Sequence, residues 1–187
     1  LSVTKQLEEA KRRVRSKTRD NLYIAYFQPF TNTYAPVERL RALYEAAIAP
    51  NDIVGLSIGT RPDCLPPETI GMLSRLQKRA PLYVELGLQT IHPETARFIN
   101  RGYELPVYDE AVKKLNALGA RTVTHLMFGL PYISGENSRS GVPELTLESR
   151  EMMLESVKYV ADSQVSGVKF HVLLALRGTL LGQLYEA

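Results

Sequence analysis

The chain has 187 residues, 44% apolar and 23% charged, with a net charge of +3. That length suffices for one domain with a sizeable core, and no apolar run approaches a membrane span, which excludes a helical membrane protein. The single cysteine, Cys64, excludes an internal disulfide and by itself a metal cluster, and His92, His125 and His171 have no metal-ligand spacing.

In chain order, residues 3–18 predict a helix, with Thr4 as N-cap and Leu7, Ala10 and Val14 at helical spacing. Its end, "KRRVRSKTR" at 11–19, is strongly basic and reads either as a solvated face or as a phosphate-contacting patch. "LYIAYF" (22–27) is a strand, "PVERLRALYEAAIA" (36–49) a helix opened by proline, "IVGLSI" (53–58) a strand and "PETIGMLSRLQKR" (67–79) a helix. "LYVELGLQ" (82–89) is a strand, and helices follow at 93–100 and 107–119, the second ended by Gly119. "RTVTHLMF" (121–128) is a strand, 131–144 is irregular and reads as a lid or binding loop, and 146–163 is a helix. "GVKFHVLLA" (167–175) is the last strand, and 179–187 starts another helix.

Strands alternating with crossover-length helices predict an α/β fold with a parallel sheet, and no linker divides residues 1–187, so one domain is expected. The absence of a signal-peptide pattern points to the cytoplasm, without a membrane partner. The first residue is Leu1 rather than Met, so a fragment of a longer protein or a processed chain is expected.

Side chains alternate along a strand, so residues two apart share a face. Gly55, Ser57 and Gly59 then share one face, with Val54, Leu56 and Ile58 opposite. Glu85, Gly87 and Gln89 oppose Val84, Leu86 and Leu88, and Lys169 and His171 oppose Val168, Phe170 and Val172. The aliphatic sides should pack against helices, and the small or polar sides should line a space. Burying such polar groups unpaired costs several kcal/mol each, on the order of a lost hydrogen bond or more. They must therefore meet a polar ligand or pair among themselves, for instance Glu85 with Lys169.

Several segments together resemble the radical S-adenosylmethionine (radical SAM) superfamily, in the branch around the elongator catalytic subunit, oxygen-independent coproporphyrinogen oxidase and the YhcC-like proteins. "LGLQTIHPETARFINRG" (86–102) is similar to an L-G-x-Q motif followed by an asparagine-arginine pair. "HLMFGLP" (125–131) is similar to the fifth-strand motif, and "YFQPFTNT" (26–33) stands where the glycine-rich second-strand motif lies, with Gln28, Pro29 and Phe30 replacing its glycines. "GTRPDCL" (59–65) and "VKFHVLLALRGTLL" (168–181) resemble the YhcC-like group.

The resemblance implies a partial (β/α)6 TIM-like barrel, here without its first strand and cluster loop. It implies SAM and a [4Fe–4S] cluster as cofactors, a 5′-deoxyadenosyl radical that abstracts hydrogen from substrate, and an electron donor such as flavodoxin or ferredoxin. Cluster ligands in the family are three cysteines, so none is expected among the residues of this chain. By the same resemblance Thr31, Asn32 and Thr33 lie near the methionine moiety, and Gln89 hydrogen-bonds SAM. Arg101 pairs with its carboxylate, a task suited to a planar fork of donors. Glu85 meets the ribose or the ammonium, and Phe128, Gly129 and Leu130 approach the adenine. Arg61 ends a strand and is either a second carboxylate partner or a surface arginine. Lys169 and His171, on the last strand, are the candidates to touch substrate. His125 reads as core, His92 as exposed and Cys64 as an inert thiol. The basic 11–19 stretch tilts the expected substrate towards RNA, tRNA in particular. The reading of another class is a non-catalytic module that keeps a SAM cleft or binds protein on a barrel scaffold.

Overall fold

The computed structural model describes residues 2–134 and 144–186. The elements are α1 (Val3–Val14), β1 (Tyr23–Phe27), α2 (Val37–Ile48), β2 (Ile53–Thr60), α3 (Pro67–Gln77), β3 (Leu82–Gln89), α4 (Pro93–Phe98), α5 (Leu105–Ala117), β4 (Arg121–Phe128), β5 (Pro131–Ser134), β6 (Glu144–Leu147), α6 (Arg150–Asp162), β7 (Gly167–Val172) and α7 (Leu180–Glu186). Local chemistry sets their ends. Ser2 caps α1 by accepting from the Lys5 amide, and Ser149 caps α6 by accepting from the Met152 amide. Proline opens α3, α4 and α5, where its missing N–H costs nothing. Gly119 closes α5 with φ +80°, a conformation glycine adopts without penalty.

Five strands form one sheet in the order β1-β2-β3-β4-β7, and every neighbouring pair is parallel. The α/β alternation read from the sequence is the architecture found. A flat sheet of five strands at about 4.8 Å spacing would hold its edges roughly 19 Å apart. Here the Lys169 ammonium on β7 lies 3.1 Å from the Tyr26 hydroxyl on β1, so the sheet is rolled into a half-barrel.

The convex side carries the apolar core. Leu56, Ile58, Val84, Leu86, Leu88 and Leu126 point outward from the strands and are at most 1% exposed. They pack against Leu40 and Tyr44 of α2, Met72, Leu73 and Leu76 of α3, Tyr108 and Leu115 of α5 and Val160 of α6. Each such side chain stabilises the fold by about 1.5–3 kcal/mol relative to exposure.

The structure differs from the sequence reading at several elements, and Val54, expected to pack against helices, is 44% exposed. The first helix is capped by Ser2, not Thr4, and becomes a 3-10 turn at Arg15–Lys17. The stretch expected to be irregular begins and ends in strands, because Pro131–Ser134 pairs antiparallel with Glu144–Leu147; residues 135–143, the centre of the expected lid, lie outside the described residues. Helix α6 starts at Arg150, since its cap is Ser149 and residues 146–147 belong to β6. The outer side of β7 is not covered throughout. Phe170 is 53% and Val172 81% exposed, because β7 is the sheet edge, and the Phe170 ring lies 5.0 Å from that of Phe128 between centroids.

Candidate functional site

The concave side of the sheet is polar. Tyr26 of β1, Ser57 of β2, Glu85 of β3, His125 of β4 and Lys169 of β7 form one layer, one side chain from each strand. Glu85 is its centre. Its Oε2 accepts from the Tyr26 hydroxyl at 2.7 Å, from His125 Nε2 at 2.7 Å and from Lys169 Nζ at 3.0 Å, and its Oε1 accepts from the Ser57 hydroxyl at 3.0 Å. Burial would raise the Glu85 pKa, but these four donors outweigh it and hold the carboxyl at about 2. Burial also works against the Lys169 charge, and Tyr26 and Glu85 overcome it, so that ammonium is held above its ordinary value. The self-pairing of Glu85 with Lys169, left open by the sequence, is therefore present.

His125 is half-buried on this layer rather than in the apolar core, which corrects the expectation for it. Burial pushes its pKa down despite the neighbouring Glu85 carboxylate, so the ring is neutral near pH 7. His171 stands beside it, with Nε2 3.0 Å from His125 Nδ1 and ring centroids 4.7 Å apart. His92 lies elsewhere and is packed rather than exposed, with Nε2 2.9 Å from the Met152 carbonyl and a side chain 15% accessible.

Above the layer opens a cavity of about 420 Å³. Its walls are Gln28–Thr31 after β1, Gly59–Arg61 at the end of β2, Glu85, Gly87 and Gln89 of β3, Ile99–Arg101 and Tyr103 after α4, and His125 and His171. Strand carboxyl ends form its rim, where α/β proteins place their sites. Gln89 has φ +66° at a break in the β3–β4 register, and its amide nitrogen can donate to the carbonyls of Leu88 (2.9 Å) and Gly87 (3.1 Å). Gly87 makes this fold-back fit, because a Cβ there would lie 2.7 Å from the Gln89 side-chain amide group.

Arg101 is only 5% exposed. Its Nε donates to the Tyr103 carbonyl at 3.0 Å and its Nη1 to the Thr90 carbonyl at 2.7 Å, while the guanidinium rests 4.6 Å from the Tyr103 ring centre. Among the described residues no carboxylate pairs with it, and Nη2 makes no hydrogen bond. Arg61 differs. Its fork grips Asp63 at 2.9 and 2.8 Å, which holds the guanidinium above its ordinary pKa. Asp63 thus occupies Nε and one hydrogen of Nη2 on Arg61.

In the β1–α2 loop, Asn32 donates to the carbonyls of Phe27 (3.0 Å) and Gly59 (2.9 Å), so it pins the loop to β2. Thr33 is buried against Thr60 and the Cys64 carbonyl, and only Thr31 of the three lines the cavity. Phe128, Gly129 and Leu130 do not line it either: Phe128 stacks on Phe170, Gly129 donates to the Met153 sulfur at 3.3 Å, and Leu130 is buried. Burial, then Asp63, pushes the Cys64 thiol up. The sequence reading singled out neither Tyr26 nor Tyr103. Applying the period of two to β1 and β4 as to the other strands would have found Tyr26 and His125; nothing local marks Tyr103.

The family described as "Radical SAM superfamily" matches residues 1–138 of this chain. The chain belongs to the radical SAM superfamily. Within it, the protein YtqA of Bacillus subtilis (strain 168) is 46% identical over 181 residues, which is 97% of this chain and 52% of YtqA. The protein YhcC of Escherichia coli (strain K12) is 33% identical over 166 residues, 88% of this chain and 49% of YhcC. The radical SAM chain described here thus spans about half the length of the relatives it matches. The archaeal Elp3 of Methanocaldococcus infernus shares its fold, with a TM-score of 0.71 over 98% of this chain and 44% of that one, at 21% identity. The branch suggested by the sequence motifs is the one these relatives occupy, and the half-barrel is the radical SAM partial barrel.

Superfamily membership implies SAM and a [4Fe–4S] cluster in general. The two groups fit this chain differently. An unpaired buried guanidinium, a glycine-opened wall and an amide at the mouth of a cavity suit a ligand with a carboxylate and sugar hydroxyls. A cluster is held by cysteine thiolates. The chain has one cysteine, and among the described residues no group of three metal-binding side chains assembles, so these residues do not fit a cluster. Among the described residues no helix is long and apolar enough to cross a membrane.

Proposed function

We propose that this chain is the SAM-binding core domain of a cytoplasmic radical SAM enzyme, and that SAM lies in the cavity above the Glu85 layer. The observation that carries this is Arg101, a buried cation on the cavity wall with no carboxylate among the described residues and a free Nη2. A buried charge without a counter-ion is costly, and a ligand carboxylate would offset that cost. When bound, SAM supplies one-electron hydrogen-abstraction chemistry through its adenosyl group. The chain's own residues bind and orient it. Arg101 holds the carboxylate, and Gln89 turns from its own carbonyls to hydrogen-bond the ligand. Thr31 lines the mouth, and Arg61, locked to Asp63, flanks Tyr103 at 5.6 Å. Glu85 is saturated by four protein donors, so it shapes the floor rather than seizing the ligand's ammonium. Lys169 faces the substrate side, and His171 lines the cavity itself. For the whole protein, we read the cluster ligands as supplied outside these residues and the electron as coming from a flavodoxin- or ferredoxin-type donor.

The exposed Arg12, Arg13, Arg15, Lys17 and Arg19 favour a polyanionic substrate such as tRNA. A second reading is a module that keeps the SAM cleft without catalysis; three cysteines at the family spacing outside these residues would favour the enzyme, and their absence the module. The test is SAM binding by calorimetry to the protein and to its Gln89→Ala and Arg101→Lys variants. Each variant should bind about tenfold more weakly or worse, a loss of about 1.4 kcal/mol. Unchanged affinity in both removes the assignment. Formation of 5′-deoxyadenosine by the anaerobically reconstituted full-length protein separates enzyme from module.

A further inference from the structure

The Glu85–His125–His171 chain has a direction. Glu85 is ionised and can only accept, so the proton between it and His125 sits on His125 Nε2. His125 is neutral, because burial pushes its pKa down, and a neutral imidazole carries one proton. Its Nδ1 is therefore bare and accepts, and the hydrogen bond at 3.0 Å must be donated by His171 Nε2. The other nitrogen of His171, Nδ1, makes no hydrogen bond among the described residues, and His171 lines the cavity. The groups that set these protons come from every strand of the layer: Tyr26, Ser57, Glu85, His125 and Lys169. Lys169 and Tyr26 donate to the same Glu85 oxygen as His125, and Ser57 to the other, so the carboxylate has no reason to take the imidazole proton.

We propose that His171 is a ligand-binding residue that presents a hydrogen-bond acceptor, its Nδ1 lone pair, to an N–H or O–H of the molecule in the chamber, with His125 and Glu85 as the positioning residues that fix its tautomer. The inference rests on the reading of the cavity as a SAM site and adds a donor-selective contact to it. Such a contact discriminates. A ligand with a hydroxyl, amino or ammonium group at this point is held, and one with a bare acceptor there meets a second lone pair. A second-sphere partner that fixes the tautomer of a functional histidine is a recurrent device.

Selectively 15N-histidine-labelled protein tests this by long-range proton–nitrogen spectra at neutral pH, with the three histidines assigned by single replacement. His125 should carry its proton on Nε2, and His171 should carry one on Nε2 and none on Nδ1. A His171 ring protonated on Nδ1, alone or together with Nε2, overturns the proposal, and this needs no variant. In His125→Phe, His171 should populate both tautomers; a ring that keeps Nε2–H alone removes the positioning role of His125. SAM, which carries an ammonium, ribose hydroxyls and an adenine amine, is the probe. Its addition should move the His171 Nδ1 resonance and leave His92 still, and His171→Phe should weaken binding about three- to tenfold. SAM that binds without moving His171 sinks the contact. Failure of SAM to bind at all, with the tautomers as expected, counts against the cavity as a SAM site and leaves the fixed histidine pair standing.

Discussion

Glu85 shows how much one residue's neighbours decide. Its carboxyl is held at about 2 rather than the ordinary 4.5 of a glutamate, so the folded state favours its ionised form. A depressed carboxylate stabilises the fold fully above its unfolded pKa and loses that contribution as pH falls towards the folded one. The window is therefore about pH 4.5 down to 2. In Glu85→Gln the four donors lose a charged acceptor, and the fold should lose about 1–3 kcal/mol at pH 7. The gap in melting temperature between the two proteins should shrink between pH 4.5 and pH 3, as the unfolded chain's glutamate takes up a proton that the folded one, held at about 2, does not. A gap that stays constant over that range would mean the donors do not hold the charge. The pairing of Glu85, Gly87 and Gln89 on one face was legible in the sequence, because strand side chains alternate whatever the surroundings. The fold-back of Gln89 was not, because it depends on a register break with β4.

At the scale of elements, α1 is only lightly embedded. No residue of it is fully buried; Val3 and Leu7 rest against the core, and Lys11 reaches Asp52 at the start of β2 at 2.8 Å. Partly exposed ion pairs contribute about 1 kcal/mol or less. Asp52→Asn should therefore hardly move global stability while raising hydrogen exchange across Val3–Val14, read by mass spectrometry; unchanged exchange there would show that apolar contacts alone seat the helix. The helices were legible by period and caps, although their ends were not always. Thr146 and Leu147 look like the start of α6, yet they pair with Tyr132 and Pro131 in an antiparallel ladder whose other strand lies more than ten residues away. Ser149, the true cap, was present in the sequence as a signal.

For the whole molecule, the sheet divides two kinds of chemistry. Leu86 is fully buried on the convex side, and its neighbour Glu85 is central on the concave side. Leu86→Ala should cost about 2–5 kcal/mol through the cavity it leaves. The urea midpoint should fall without a change in slope, while SAM affinity measured under folding conditions stays within about twofold of the parent, since a 0.4 kcal/mol change is about the size of that factor. Loss of SAM binding in step with stability would mean that the two layers are not independent.

By itself the sequence determined the alternation of strands and helices, the parallel sheet, the polar inner faces and the radical SAM family, because each is written in periodicity or in motifs of fixed order. The tertiary structure alone decided who meets whom across the hollow. Tyr26 and Lys169 are 143 positions apart and touch only because the sheet rolls. Arg61 and Arg101 read alike as cations near a strand end, yet one is neutralised by Asp63 and the other is left with backbone carbonyls. Periodicity is a property of neighbours along the chain, whereas these pairings depend on curvature and loop geometry that accumulate over the whole fold.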